Sequence, residues 1–242
     1  MSFAQRARME AWLPALLLVT GSLVFLGTGR HHPIIDASLG QAGSDEFFRS
    51  FAAQMLHMAN WESIHLGILV GPVLWTLGVA GTARLIATQA IPLADIGKTA
   101  LMLGAGLWTI AFVLDGYVGP RLAQAIATAG VGADALPLRT FAINQFTMAR
   151  LGMLAIVLIG AAVLVLSGAM LVGSRLRSWQ AVVGGLGLLI GGWPLIAAAQ
   201  GEFSPRPFTS PYWSLTALSL GLWFLLLGTA VPGMRRGDQG LL

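Results

Sequence analysis

Cysteine is absent from the chain. That removes disulfides, thiolate metal sites, iron–sulfur clusters and cysteine nucleophiles, and leaves the redox compartment unmarked. Charge is scarce too: Asp, Glu, Lys and Arg make up 10% of 242 residues, against 56% hydrophobic. Soluble domains carry about 25% charged residues, so this is the profile of a membrane protein. Histidine is limited to four residues, His31, His32, His57 and His65, and none lies in the apolar runs beyond the second. A bis-histidine haem between two spanning helices needs an imidazole from each, which one copy of this chain does not supply. No P-loop, nucleophile elbow, HExxH or dinucleotide fingerprint occurs.

What is present is apolar sequence in long stretches, with a mean hydropathy of +0.76. A helix crosses about 30 Å of hydrocarbon with about 20 residues. On that criterion spans are expected at about 11–28, 63–84, 98–118, 150–173, 179–199 and 212–232. The fold class expected is therefore all-α, a polytopic bundle of about six transmembrane helices forming one transmembrane domain over 1–242. Arg6 and Arg8 ahead of the first apolar run resemble the start of a secretory signal. No convincing small-residue cleavage site precedes Arg30, so a retained first helix is expected.

The net charge of +4 does not point to nucleic acid, because the basic residues stand singly or in pairs beside the apolar runs. They are topology signals. With an even number of crossings both termini share a side. Placing that side in the cytoplasm gathers Arg6, Arg8, Arg84, Lys98, Arg175, Arg177, Arg235 and Arg236 into tails and short loops, as the positive-inside rule favours. The expected location is a bacterial cytoplasmic membrane with both termini cytoplasmic.

Two outer segments, 29–62 and 119–149, are long. Loops of that length usually carry structure or function. In the first, over 44–61, Phe47, Phe51, Met55 and Met58 recur at helical spacing among Asp45, Glu46, Arg49 and Gln54, predicting an amphipathic helix that lies at the interface or caps the bundle. The second repeats the pattern: Phe48, Arg49, Ser50, Phe51 and Ala52, with Met58 and Ala59, align without gaps to Leu138, Arg139, Thr140, Phe141 and Ala142, with Met148 and Ala149. Further on, Ala100, Gly104, Gly106 and Leu107 align to Ala181, Gly185, Gly187 and Leu188. These matches predict an internal repeat of two-span units running in the same direction.

Between apolar helices in lipid, small residues allow the close approach that supplies cohesion. The chain has 31 glycines. Gly67 with Gly71, Gly187 with Gly191, and Ala217 with Gly221 and Gly228 mark faces expected to meet other helices, of this chain or of partner subunits. Pro72 and Pro194 predict kinks. Trp12, Trp61, Tyr212, Trp213 and Trp223 read as interface anchors.

Three sets of residues are candidates for chemistry. Met55, His57, Glu62 and His65 crowd one stretch, with His31 and His32 able to fold back. Thioether with imidazole suits copper, and imidazole with carboxylate suits zinc or iron. His65 alone is a candidate axial ligand for a porphyrin or chlorin on an external face. Charges at membrane depth are costly unless paired, so Arg150 is expected to pair with Glu62 or Asp115, fixing helix register.

Three functions follow from these readings. The foremost is a non-catalytic accessory or structural subunit of a larger membrane complex, contacting lipid, quinone or pigment. The others are a small transporter or solute-binding membrane protein, suggested by the repeat and the proline-broken spans, and a metal-handling membrane protein using the outer His/Met segment.

Overall fold

The computed structural model of the chain describes residues 3–32, 39–85, 90–129, 133–173, 178–200 and 211–234. Among them there is no strand. In hydrocarbon every backbone N–H and C=O needs a partner, and a helix finds nearly all of them within its own segment. The helices are α1 (Phe3–Gly29), α2 (Asp45–His57), α3 (Trp61–Thr82), α4 (Ile91–Val113), α5 (Gly119–Thr128), α6 (Ala135–Gly173), α7 (Ser178–Ala199) and α8 (Pro211–Ala230). Among the described residues six segments are long and apolar enough to cross a membrane: Ala11–Gly29, Trp61–Leu85, Ile91–Thr128, Ala135–Val172, Trp179–Ala199 and Ser214–Gly233. The chain is a multi-pass membrane helix bundle.

The spanning helices close into a ring in the order α1, α3, α4, α6, α7, α8, with α8 returning to α1. Small residues set the spacing. A Cβ at Gly67 or Gly71 would run into Thr28 or Phe25 of α1, one at Gly191 into Leu164 of α6, and one at Gly228 into Val19 of α1. All three small-residue faces expected from the sequence are thus used inside this bundle. Pro194 packs into the space left by Gly160, so its place in α7 serves packing between helices.

The centre of the ring is filled. Phe25, Trp75, Trp108, Pro72, Ile159 and Leu220 surround only a small apolar cavity. Trp75 stacks on Phe224 with ring centroids 4.4 Å apart, and Phe25 lies 4.8 Å from Trp75. The buried indoles find acceptors on neighbouring helices: Trp75 Nε1 donates to Ser22 Oγ at 3.0 Å, Trp108 to the Ile68 carbonyl at 3.3 Å and Trp223 to the Val183 carbonyl at 3.1 Å. Trp223, expected at the interface, is instead buried.

Two spans are much longer than a bilayer requires. α6 has 39 residues, about 58 Å at 1.5 Å per residue, so it must project beyond the hydrocarbon. The spans expected to start at 98 and 150 start at Ile91 and Ala135, because helical hydrogen bonding continues ahead of each expected apolar run. The projecting start of α6 joins α2 and α5 to cap one end of the bundle.

The cap follows from amphipathic sequence. Ser44 caps α2 by accepting the Phe47 N–H, and Phe47, Phe48, Phe51, Ala52 and Met55 are buried along one face. They pack on Leu138 and Phe141 of α6 and Ala123 of α5, and Arg49 forms an ion pair with Asp134 just ahead of α6. The apolar face of α2 is therefore covered by protein rather than by lipid. Where α2 breaks at Met58 before α3 starts, the corresponding stretch of α6 runs straight through. Arg175, Arg177, Arg235 and Arg236 lie outside the described residues, as do the side chains of Tyr212 and Trp213.

Candidate functional site at the capped end

Between α4 and α5 the helix loosens into a π turn, Leu114–Val118. Such bulges often mark functional positions because they turn side chains off the regular helical register. Sequence accounts for this one. The Gly119 N–H reaches back five residues to the Leu114 carbonyl, and the next residue, Pro120, has no N–H to offer the Asp115 carbonyl. The Trp61 indole donates to that carbonyl instead, at 2.9 Å.

The bulge aims the Asp115 side chain into the bundle, where it is buried against two histidines. His65 Nε2 lies 2.9 Å from Asp115 Oδ2 and His32 Nε2 lies 3.7 Å from it. His65 comes from the second turn of α3, and His32 folds back just beyond α1. The three ligand atoms lie within 4.8 Å of one another. His65 and Asp115 are 0% and 4% exposed, whereas His32 is 27% exposed and forms the open side.

Aromatic rings wall the cluster. Trp61 stacks on His65 at 4.6 Å and 23°, Phe112 stands 5.7 Å from His65, and the two imidazoles are 5.0 Å apart. Gly116 lets α3 come this close, because a Cβ there would lie 2.5 Å from the His65 Cβ. Asn144 of α6 donates to the Leu114 carbonyl at 3.1 Å, bracing the bulge from the opposite side.

The hydrogen bonds fix how His65 presents itself. Its Nδ1 lies 2.7 Å from the Trp61 carbonyl, and a carbonyl only accepts, so Nδ1 carries a hydrogen. Nε2 of the neutral ring then faces Asp115 Oδ2 with a lone pair. Two acceptors 2.9 Å apart repel unless a proton or a metal ion stands between them. Asp115 Oδ1 is buried without a hydrogen-bond partner, as are both polar atoms of Gln145.

No family model, curated protein or solved structure matches this chain. The geometry of the site is therefore the guide to its chemistry.

Of the residues singled out from the sequence, the structure brings His32, His65 and Asp115 together. His57 and Glu62 are exposed, and Met55 is buried in the cap with its sulfur against Gly119. The expected pairing of Arg150 with Glu62 or Asp115 is not formed among the described residues: Arg150 lies on an exposed face of α6, and the π turn directs Asp115 toward α3 instead. The full burial of His65, with both ring nitrogens engaged, leaves no face for an external porphyrin. Trp61, read as an interface anchor, is the buried lid of the cluster. The sequence showed that a carboxylate at membrane depth such as Asp115 needs a partner; Arg150 was expected there, and the fold supplies His65 instead.

Proposed function

We propose that this chain is a metal-binding membrane protein that holds a divalent transition-metal ion with His32, His65 and Asp115 at its capped end. One observation carries the reading: His65 Nε2, on a ring whose Nδ1 hydrogen is committed to the Trp61 carbonyl, faces the Asp115 carboxylate at 2.9 Å in a buried cluster. Two imidazoles and a carboxylate are a donor set for zinc or non-haem iron. The His65 Nδ1 hydrogen bond to a backbone carbonyl is the outer support that metal-ligating histidines use to fix tautomer and ring orientation. Ligands about 2.0–2.1 Å from a tetrahedral ion stand about 3.3 Å apart. His65 Nε2 and Asp115 Oδ2, 2.9 Å apart, would open by about 0.4 Å to hold such an ion, and the partly exposed His32, 3.7 Å from the same oxygen, would close by a similar amount.

The other readings have less support. An accessory subunit was expected from small-residue faces, few polar groups at membrane depth and the lack of a catalytic set; the faces at Gly67 with Gly71, at Gly191 and at Gly228 meet helices of this same chain. A transport path along the axis would need polar lining, and aromatic rings fill the axis. The internal repeat remains part of the proposal. It is supported by Phe48 with Leu138, and Phe51 with Phe141, sharing one buried cluster.

Metal analysis of the purified chain tests the reading. After loading with zinc or cobalt in mild detergent and desalting, one ion per chain is expected, and His65→Ala and Asp115→Asn should each abolish retention. Metal affinity should also fall at acidic pH, because imidazole must be deprotonated to bind. A folded wild-type chain that retains no ion would overturn the proposal and leave a buried imidazolium–aspartate pair in its place.

A further inference from the structure

We propose that the bound ion keeps one ligand position open toward the His32 side and that this position takes an oxygen anion, a carboxylate or a phosphate ester. The inference rests on the metal reading above and concerns what the ion would do once held.

Two arguments carry it. First, the described residues supply three donors to the cluster, and sites with three protein ligands keep a fourth position for water or a substrate. Second, two neutral imidazoles and one carboxylate leave a divalent ion with a residual charge of about +1 in a site walled by Trp61 and Phe112. In so weakly polar a setting an uncompensated charge is costly, and a monoanionic fourth ligand cancels it.

The position faces outward because His65 and Asp115 are sealed and His32 is the partly exposed member. A ligand arriving there comes from the capped end of the bundle. The same chemistry is available from a water-soluble anion or from the head group of an amphiphile lying in the bilayer surface.

Cobalt-loaded protein in dodecyl maltoside tests this, because the visible bands of cobalt report its ligand set. Acetate and decanoate should both shift those bands, and decanol, a neutral amphiphile, should not. Decanoate binding tenfold or more tightly than acetate would assign the ligand to an amphiphile, and equal binding to a soluble anion; either supports an open anion position. Cobalt retained with bands indifferent to both anions would overturn the open position and leave the metal site standing. A chain that retains no cobalt would overturn both.

Discussion

At the scale of single residues, the site depends on groups that are costly to leave alone. The Asp115 carbonyl has lost its helical donor to Pro120, and the Trp61 indole replaces it while the same ring covers His65. Trp61→Phe keeps a ring over the imidazole but strands a buried carbonyl. It should destabilise the folded protein by about 1–3 kcal/mol, read as a lower thermal midpoint in detergent, and Trp61→Ala should cost more. Gly116 was unremarkable in the sequence, one glycine among 31. Only the approach of His65 shows why a side chain there has no room. His32 and His65 were legible as candidates from their chemistry. Their convergence on Asp115 was not, because it joins positions 50 and more residues apart.

At the scale of elements, helices were readable because the bilayer demands them, and their ends were less so. Six apolar runs predicted six spans, and six are found. α4 and α6 start earlier than expected, since a hydropathy reading stops where the apolar run stops, whereas hydrogen bonding carries a helix further, into the cap for α6 and at the opposite end of the bundle for α4. The contact between α6 and α7 is the sharpest test of small-residue packing. A Cβ at Gly191 would meet the Leu164 backbone, which cannot swing aside as a side chain does. Gly191→Ala should therefore cost about 1–3 kcal/mol through overpacking. At Gly106 nothing lies within 4 Å of an added Cβ, so Gly106→Ala should be neutral or slightly stabilising by helix propensity. Chemical or thermal unfolding of the two variants side by side gives the comparison. Equal behaviour would mean that close approach at Gly191 contributes little. Likewise, the exposed Arg49–Asp134 pair tying α2 to α6 should contribute at most about 1 kcal/mol and weaken with salt.

At the scale of the whole molecule, the ring of six spans joins a sealed axis to a capped end that holds the polar chemistry. Orientation in the membrane rests on the distribution of basic residues, and the absence of cysteine makes it directly measurable. A single cysteine at the exposed Ala53 of α2 should react with an impermeant maleimide added outside intact cells, and one at Asp95, at the opposite end of the bundle, should react only after permeabilisation. The reverse pattern would turn the site toward the cytoplasm. The sequence by itself determined that this chain has the composition of a membrane protein, that six of its runs are apolar enough to cross a bilayer, and that the segment 44–61 is amphipathic, because all three follow from local composition and periodicity. Which faces pack together, that the axis closes on tryptophan and phenylalanine, and that an aspartate on a π turn meets two histidines were decided by tertiary structure alone. Those contacts join residues far apart in the chain, and in lipid the partner of a buried polar group is settled by which helices can approach most closely.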